Sequence, residues 1–538
     1  GTPVAAATTA PTDTPAPPPT LTPTPRPPKD LVVCVAAEPT DLYLYGDNSA
    51  AATAVRHALY ESPITSLGYE YQPLALEKLP SLADGDARMQ TVEATEGDLV
   101  VTAAGELAPL GQGTTVLDAD GQPVTYDGQP ITMTQLVVEY TFRPLVWSDG
   151  TPVTAADSVY SFRLASDRSA PRADVPSRYT AAYEAVGERT VRWTGLPGYH
   201  DPTFMTHVWA PLPEHQLGEF DPAELPALDE AARQPLSYGA FVVDSWTPGE
   251  AIRLVPNAYY DRAAEGLPYL TSLTFRFLTP EPGSLPQGYE DCHILTSDLL
   301  PFDTLAAVDA AAAAGDLVEH VTTNGVIEQI IFGIDHAGAF AETHAPWFAD
   351  TRVRQAVTQC IDRQALADEF TGGRAEVMDT FVPNDHALHP DDAAQWPYDP
   401  AAANALLDDA GLFDNNGDGV REALGATTTF SVTLGTVAGD PLRQQLNERV
   451  RDNLAECGIQ VNPFTMEAGA WFAPGPAGTV FGRKFDLAQF AWLSRIPPDC
   501  GMYLTANIPG SVELGYNGWE GINVSGWSNE AFDAACGR

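Results

Sequence analysis

Four residues of one segment carry side-chain oxygens at a spacing that suits a metal ion. Asp414, Asn416 and Asp418 occupy the first, third and fifth positions of a run that resembles the start of a calcium loop, and a glycine follows at the sixth. The twelfth position, where such loops carry a bidentate glutamate, is also a glycine, which leaves Glu422 at the ninth position as a substitute. Because this ligand set is incomplete, the sequence predicts at most a structural calcium ion.

The chain lacks the short motifs of the common enzyme classes. It contains no G-x-x-x-x-G-K-S/T, no G-x-S-x-G and no H-E-x-x-H, and no G-x-G-x-x-G follows a predicted strand. Adjacent acidic residues such as Asp391-Asp392 and Asp408-Asp409 carry little information in a chain with 72 acidic residues. The lack of these motifs favours a protein without catalysis, and a hydrolase built on one of the acid pairs is the alternative.

The charge of the chain excludes some partners. Its 28 basic and 72 acidic residues give a formal net charge of −44, which repels nucleic acid and anionic lipid. A solvated acidic surface is the simplest interpretation, and attraction of cationic ligands is the alternative. The sequence contains no apolar run of about eighteen residues that would span a bilayer.

The first thirty residues differ in composition from the rest. Residues 1–30 are rich in Thr, Pro and Ala, which cannot build a core and which predict an extended, disordered stalk. We interpret this stalk as the tether of an exported lipoprotein whose signal peptide was removed and whose lipid-bearing cysteine stood just before Gly1. A disordered linker without an anchor is the alternative.

A strand, a turn and a helix follow one another between residues 137 and 167. Val138, Tyr140 and Phe142 alternate with polar residues, which is the period of a half-buried strand. Thr154 stands three residues before Asp157, a spacing at which each side chain accepts a hydrogen bond from the other's backbone at a helix start. The pattern predicts a β-turn-α unit that packs by its apolar face.

The amino-acid sequence of this β-turn-α unit resembles that of a known family. The run TFR…VWSDGTPVTAADSVYSF closely resembles the signature of family 5 extracellular solute-binding proteins, the oligopeptide/dipeptide-binding lipoproteins of ABC importers. Four further segments resemble motifs of that family in the same order, and they lie within residues 60–75, 239–260, 350–365 and 398–411. Each motif is degenerate alone, but five in order cover most of the chain after residue 30.

The resemblance implies an α/β, two-lobed fold of the periplasmic-binding-protein type II, with an extra domain and with lobes joined by two crossing strands near residues 273–277 and 485–492. The expected parts are the stalk at 1–30, lobe I at 31–57 and 189–270, an extra family-specific domain at 58–188 with a β-rich insertion near 92–134, lobe II at 271–484, and a return to lobe I at 485–538. The resemblance also implies that the C-terminal end is incomplete.

The function implied is that of a solute-binding subunit of an ABC importer. Such a protein captures a short peptide or peptide-like solute by closure of its lobes and presents it to a membrane permease, and it acts as a monomer without a cofactor outside the cell or in the periplasm. Alternatives are an oligosaccharide-binding or a nickel- or opine-binding member of the family, a surface sensor or interaction protein that reuses the fold, or the hydrolase named above.

One segment bears on the ligand. Peptide-binding relatives fix the ligand's amino group with an Asp in a W-x-x-D-Y-x-D-P segment, and here Trp492 and Ser494 lie in the matching segment while Arg495 takes the place of that Asp. An Arg repels an ammonium group and suits a carboxylate, a phosphate or sugar hydroxyls. The alternatives are that Arg495 points to solvent or that Asp499 replaces the missing carboxylate.

Further ligand-binding candidates come from the same resemblance. Aromatic rings at or near cleft segments of the family could stack on the ligand, or could belong to the core, as most aromatic residues do. They are Tyr43, Tyr45, Tyr60, Trp209, Tyr238 and Trp492. Asp335 occupies the place where relatives carry a cleft-facing Asn. In relatives the segment at 414–419 is a tight turn, often without an ion.

The six cysteines predict disulfides, because their count is even and the protein is expected to be exported. Fifteen pairings are possible, and six buried thiols are the alternative. In the resembled family the helices that carry Cys360 and Cys457 share a domain, and Cys500 and Cys536 share the C-terminal region. The expected pairs are therefore Cys360–Cys457, Cys500–Cys536 and, with the remaining two residues, Cys34–Cys292.

Overall fold

The computed structural model describes residues 29–103, 105–167, 175–423, 425, 427–494, 496, 498–516, 518–519 and 521–536. The stalk predicted over residues 1–30 therefore lies outside the described residues except for its last two. Within the described part of the chain, the regular elements form two bodies, each built around its own sheets and its own hydrophobic core.

The strands are numbered along the chain. They are β1 (Asp30–Val35), β2 (Ile64–Thr65), β3 (Gln72–Pro73), β4 (Ala87–Ala94), β5 (Leu99–Val101), β6 (Leu107–Pro109), β7 (Thr115–Leu117), β8 (Pro123–Thr125), β9 (Ile131–Thr141), β10 (Thr180–Ala185), β11 (Thr190–Gly195), β12 (Phe241–Thr247), β13 (Ala251–Pro256), β14 (Ser272–Phe277), β15 (Ile294–Leu295), β16 (Val326–Phe332), β17 (Leu412–Phe413), β18 (Glu422–Ala423), β19 (Ser431–Val437), β20 (Gln460–Met466) and β21 (Leu487–Leu493).

The α-helices are numbered in the same way, and short 3₁₀ turns connect several of them. They are α1 (Ala50–Leu59), α2 (Ala155–Ser166), α3 (Val175–Arg178), α4 (Glu214–Leu217), α5 (Asp229–Ala232), α6 (Leu305–Ala314), α7 (Gly338–Thr343), α8 (Thr351–Cys360), α9 (Arg363–Thr371), α10 (Pro400–Asp409), α11 (Pro441–Glu456), α12 (Ala468–Trp471) and α13 (Glu530–Cys536).

The first body contains two sheets that share one core. The five-stranded sheet has the order β12-β13-β14-β1-β15, in which β1 runs parallel to β14 and β15. The four-stranded antiparallel sheet has the order β10-β11-β9-β4. Side chains from both sheets, such as Ile252 and Leu254 of one and Val138 and Trp193 of the other, lie fully buried in the same cluster. The two sheets therefore fold as one unit.

The predicted β-turn-α unit is confirmed. Val138, Tyr140 and Phe142 are buried along β9, and α2 begins with the predicted reciprocal cap, in which the Thr154 backbone N–H donates to the Asp157 carboxylate at 2.8 Å. This cap satisfies backbone donors that the first turn of a helix leaves open. Where the β-rich insertion is predicted, β5 with β6 and β7 with β8 form two hairpins.

The second body is a four-stranded sheet of order β16-β21-β19-β20 with apolar clusters on both faces. On one face α8, α10 and α11 pack with apolar side chains inward, including Val353, Val357 and Cys360 of α8. On the other face Trp471 and Phe490 belong to a separate cluster. The helix α10 begins with a side-chain cap, since the Asp399 carboxylate accepts a hydrogen bond from the Ala402 N–H.

Two strands pair in a different sheet from the one that the expected domain boundaries assign to them. The strand β14, expected at the start of lobe II, pairs with β1 and β13 in the first sheet. The strand β21, expected in the return to lobe I, is hydrogen-bonded between β16 and β19 in the second sheet. Later residues also contact the second body, because the Ile334 N–H donates to the Ser525 carbonyl at 2.9 Å. The other boundaries stay predictions.

The structure pairs the six cysteines as three disulfides, between the partners that the family resemblance implied. The Cα–Cα distances are 5.9 Å for Cys34–Cys292, 6.5 Å for Cys360–Cys457 and 6.2 Å for Cys500–Cys536, all within the range that a disulfide spans. Each bridge joins segments of a single body and therefore leaves the two bodies free of a covalent link beyond the chain itself. Among the described residues no helix is both long enough and apolar enough to cross a bilayer.

The core of the second body gives a stability prediction. Leu434 of β19 is fully buried in the cluster beneath α8, α10 and α11, so Leu434→Ala should lower the free energy of unfolding by about 3 kcal/mol through lost burial and the resulting cavity. Denaturant titration followed by tryptophan fluorescence measures the change. The matched control is Leu514→Ala, because Leu514 is 77% exposed and its truncation should cost less than about 0.5 kcal/mol. Equal costs would contradict the packing described.

Candidate ligand-binding site

A cavity of about 970 Å³ lies in the second body beside β16. Its walls come from β16, the end of β21, the helices α9 and α11, the segment 376–385 and the turn around Tyr503. A smaller cavity of about 370 Å³ shares residues of β16 with it, including Gln329 and Phe332. Small-molecule sites measure about 300–1,000 Å³, so the larger cavity has room for a short peptide or a solute of similar size.

The strand β16 is the edge of its sheet in the described part of the chain. The backbone groups of its odd-numbered residues and of the glycines at its two ends face β21, since the Gly325 carbonyl accepts from the Ser494 N–H and the Gly333 N–H donates to Asp486. In an antiparallel pair the backbone groups alternate in direction, so those of Glu328, Ile330 and Phe332, three residues that line the cavity, point away from β21. A free edge of this kind can pair with another extended chain.

Aromatic and sulfur-containing side chains form the apolar part of the wall. Trp492 and Phe381 line the cavity together with Met502 and Tyr503. The rings of Phe381 and Tyr503 lie 5.4 Å apart, and the ring of Trp492 lies 6.1 Å from that of Phe490 in the same strand. Burial raises the pKa of the Tyr503 phenol, so its hydroxyl stays neutral. These groups offer flat and adaptable apolar surface to a ligand.

Two arginines of the wall are held in ion pairs. Arg443 of α11 lies 2.8 Å from the carboxylate of Glu328 and 3.3 Å from that of Asp440, and the hydrogen bond to Glu328 raises the pKa of the arginine. This pair ties the start of α11 to β16 along the cavity. Arg374 lies 2.6 Å from Glu319 and pairs also with Asp309 of α6. Both guanidinium charges are therefore balanced within the protein.

A contact between the two bodies lies beside the cavity. The hydroxyl of Tyr69, in the loop between β2 and β3, donates to the Asp385 carboxylate at 3.1 Å, and the Thr323 hydroxyl donates to the other oxygen of that carboxylate. Tyr69 has a φ of 59°, which is unusual for a residue with a side chain. The hydroxyls of Thr323 and Tyr69 hold the pKa of Asp385 below its ordinary value, so the carboxylate is charged at neutral pH.

The residue after Asp385 extends this contact to the loop that follows β21. The ring of His386 lies 4.8 Å from that of Tyr69, and its Nε2 lies 3.0 Å from the Ile496 carbonyl oxygen. The Leu388 N–H donates to Nδ1 of the same ring at 3.0 Å, so the proton is on Nε2 and is donated to Ile496. Tyr69 of the first body therefore contacts a histidine that positions the segment after Ser494.

The structure places five predicted aromatic ligand residues in the first body, among the apolar clusters. The ring of Tyr43 lies 5.9 Å from that of Tyr45, the ring of Tyr60 lies 5.6 Å from that of Tyr238, and the ring of Trp209 packs on Tyr183 and Phe162. All but Tyr45 are buried. They do not line the cavity of the second body, and their contact with a ligand stays a prediction.

The remaining predicted ligand residues are divided. Trp492 and Ser494 line the cavity. Arg495 lies outside the described residues. Asp335 is not part of the cavity wall. Its carboxylate instead lies 2.7 Å from a guanidinium nitrogen of Arg483 and accepts a hydrogen bond from the Tyr516 hydroxyl. The structure thus brings together the residues near the end of β21 and separates them from Asp335.

The predicted calcium loop is closed by hydrogen bonds of its own. The Asp414 carboxylate accepts hydrogen bonds from the backbone N–H groups of Gly417 at 2.7 Å and Gly419 at 3.0 Å. These bonds lower the pKa of Asp414, and the bond from Gly417 has the largest effect. The buried Glu422 accepts from the Asn416 amide at 2.8 Å. No group of three or more His, Cys, Asp and Glu side chains in metal-binding arrangement occurs among the described residues. A structural calcium ion stays a prediction.

Sequence reasoning missed most of the cavity wall. The segment 376–385 belongs to a connection without helix or strand between α9 and α10, and connections of such length in compact domains are usually functional. Gln489 stands inside the apolar run FDLAQFAW of β21, where a buried polar side chain needs a partner. Both signals were present in the sequence, but neither shows which residues meet around one cavity.

Comparisons with known proteins identify the relatives of this chain. The model of the family described as bacterial extracellular solute-binding proteins, family 5, matches residues 132–511. The oligopeptide-binding protein AppA of Bacillus subtilis is 26% identical over 370 residues, which cover 67% of this chain and 63% of that protein. The chain spans about three fifths of the curated relatives that it matches, with shares of 63%, 61% and 59% for three of them.

Solved structures show the same fold. The oligopeptide-binding protein of Thermus thermophilus, determined with a pentapeptide, has a TM-score of 0.56 at 19% identity and covers 94% of this chain and 85% of its own. NikA from Brucella suis, determined with Fe(III)-EDTA, has a TM-score of 0.62 at 15% identity and covers 95% of this chain and 87% of its own. The predicted two-lobed α/β periplasmic-binding fold is therefore confirmed.

The contact of Tyr69 gives a prediction about the arrangement of the bodies. Tyr69→Ala removes the hydrogen bond to Asp385 and the ring that packs on His386, so in the absence of ligand the bodies should separate more often and the radius of gyration from small-angle scattering should rise. Tyr69→Phe, which keeps the ring, should show a smaller rise. Tyr269→Ala is the control, because Tyr269 is 62% exposed. The same radius for all variants would show that this contact does not hold the bodies together.

Proposed function

Because this chain belongs to the bacterial extracellular solute-binding proteins of family 5, we propose that it captures a short peptide or peptide-like solute outside the cell and delivers it to an ABC permease. The family resemblance drawn from the sequence motifs is confirmed, and members of this family are binding proteins. We propose the same role without catalysis here, for a monomer that acts in the periplasm or at the outer face of the membrane.

The observation that carries the proposal is the cavity beside the free edge of β16. The outward backbone groups of Glu328, Ile330 and Phe332 supply donors and acceptors at the spacing of a strand, which an extended peptide can match along its whole length. Trp492 and Tyr503 offer rings on which apolar side chains of the peptide can pack. A peptide uses both features, whereas a sugar has no repeating amide to pair with a strand edge.

Closure of the lobes would couple binding to transport. A ligand that contacts both bodies stabilises the arrangement in which they meet, and it shifts the population by its difference in affinity for the closed and open forms. The contact of Tyr69 with Asp385 and His386 lies beside the cavity, so a closed arrangement would enclose the ligand near it. The permease would then recognise the closed form.

We propose Trp492, Ser494 and Arg495 as ligand-binding residues, the last with its guanidinium on a carboxylate of the peptide. The supporting observation is that Trp492 and Ser494 line the cavity. For Tyr43, Tyr45, Tyr60, Trp209, Tyr238 and Asp335 ligand contact is proposed from the family resemblance. The Thr/Pro-rich residues 1–30 would serve as a tether to a lipid in the cytoplasmic membrane, and the three disulfides fit an oxidising compartment.

The most direct test is to identify what the protein carries. Mass spectrometry of the solute released on denaturation of the purified protein should detect short peptides. An oligosaccharide, a nickel complex or an opine would each replace the peptide by one of the alternatives predicted from the sequence. The absence of a solute together with turnover of a substrate would support the hydrolase. A purified protein that binds no peptide and shows no closure by small-angle scattering would leave a sensor or interaction role.

The apolar wall gives a quantitative prediction. Trp492→Ala should weaken the binding of a pentapeptide at least about fivefold, because a ring that packs on a ligand contributes about 1 kcal/mol beyond its buried area. Isothermal titration calorimetry measures the affinity, and circular dichroism confirms that the variant is folded. Phe220→Ala serves as the control, since Phe220 lies in the first body and is 39% exposed. An unchanged affinity of the Trp492→Ala variant would show that the peptide does not bind against this wall of the cavity.

The proposed role of Arg495 gives a second prediction about ligand binding. Arg495→Ala should weaken capture of a peptide with a free carboxylate and should leave the melting temperature without ligand unchanged, because its role is to bind the ligand. The loss should be smaller for the same peptide with an amidated C-terminus, which lacks the carboxylate that the guanidinium pairs with. Equal losses for both peptides would show that Arg495 does not bind the carboxylate, and no loss would show that it does not face the ligand.

A further inference from the structure

The cavity carries more negative than positive charge. Six acidic and three basic residues line it. The acidic residues are Glu328, Glu376, Asp379, Asp385, Asp440 and Asp499, and the basic residues are Arg363, Arg374 and Arg443. Since the charge is concentrated in a concave surface, it attracts cations more strongly than the same charge on a convex surface would.

The three basic residues are already engaged by the protein. Arg443 and Arg374 are held in the ion pairs described above. Arg363 donates to the carbonyl oxygens of Met378 at 3.1 Å and Trp396 at 2.6 Å, so its donors hold the long connection after α9 in place. These guanidinium groups therefore have structural partners and are not set aside for an anionic ligand.

Three carboxylates of the wall have neutral partners instead. Glu376 accepts from the Asn384 amide at 3.4 Å, Asp379 from the Gln395 amide at 3.1 Å, and Asp385 from the hydroxyls of Tyr69 and Thr323. None of the three forms a salt bridge with another residue of the described chain. Their charges are thus stabilised by hydrogen bonds without a direct ion pair, although Arg363 lies near enough to Asp379 to interact with it electrostatically. All three belong to one segment of ten residues at the cavity.

An independent feature of the cavity points to a polar ligand. Gln489 of β21 lines it and is fully buried, and neither the oxygen nor the nitrogen of its amide has a hydrogen-bond partner among the described residues. A buried amide without a partner destabilises the folded protein. A ligand with N–H groups would satisfy its oxygen. Gln329, whose amide nitrogen also lacks a partner, lines the same cavity.

We propose that this cavity selects peptides with a cationic side chain, lysine or arginine, over peptides with a neutral or an acidic side chain at the same position. The N–H donors of the ammonium or guanidinium group bind the Gln489 amide oxygen, and Glu376, Asp379 and Asp385 supply the compensating charge. This inference rests on the proposed capture of peptides and adds the chemical class of their side chains.

Three pentapeptides test the proposal, Ala-Lys-Ala-Lys-Ala and its analogues with norleucine or glutamate in place of lysine. Isothermal titration calorimetry with the full chain, at about 0.02 M and about 0.5 M NaCl, measures their affinities. At low salt the lysine peptide should bind about tenfold more tightly than the norleucine peptide, and the glutamate peptide more weakly than both. High salt should reduce the preference for lysine, since the carboxylates are partly exposed.

Variants assign the preference to the cavity. E376Q/D379N should reduce the ratio of lysine to norleucine affinity to about threefold or less, since two of the compensating charges are lost. Gln489→Met, which keeps the size of the side chain but removes its amide, should weaken the lysine peptide more than the norleucine peptide. The control E93Q/E230Q also removes two carboxylates, but from exposed positions of the first body, and it should keep the wild-type ratio.

The outcomes separate this inference from the function on which it rests. Equal or tighter binding of the norleucine peptide would overturn the cationic preference and leave peptide capture standing. A preference for lysine that E93Q/E230Q loses as readily as E376Q/D379N would assign it to the overall charge of the protein and overturn the role of the cavity. Binding of none of the three peptides would overturn both proposals.

Discussion

The antiparallel pairing of β16 with β21 is the interaction on which the candidate site depends. It places Trp492 beside Ile327 and Gln489 beside Ile330, and it brings the end of β21 to the segment 376–385. Because β21 takes the place between β16 and β19, one side of β16 remains without a strand partner in the described part of the chain. A register shift of one residue would turn each side chain of β21 to the other face of the sheet, so the cavity and its wall exist only in this register.

A comparison of the elements shows which properties the sequence could predict. The cap of α2 depends on Thr154 and Asp157 alone, three residues apart, and it was predictable because its geometry is local. The motifs that identify the family were also local. The cavity is different, since Trp492, Tyr503 and Glu376 come from three distant segments, and their meeting depends on the packing of the whole second body. No periodicity in the sequence encodes that meeting.

The predicted aromatic residues illustrate the same limit in physical terms. A tyrosine in a cleft and a tyrosine in a core have the same neighbours in sequence, because both need apolar surroundings for the ring and a partner for the hydroxyl. In the structure the Tyr238 hydroxyl donates to the Glu61 carbonyl oxygen and the ring packs on Trp147. Its sequence position near a family cleft segment gave no information on that burial. Burial of a ring in this way stabilises the first body whether or not a ligand binds.

The roles proposed for the acidic wall and for Arg495 place opposite requirements on a ligand, and together they would narrow its chemistry. Glu376 and Asp379 attract a cation, whereas an arginine after Ser494 suits an anion. A neutral sugar satisfies neither, and a simple cation satisfies only the first. A peptide with a basic side chain and a free carboxylate satisfies both, and its backbone also matches the open edge of β16. The two proposed interactions together favour a molecule that carries both signs of charge.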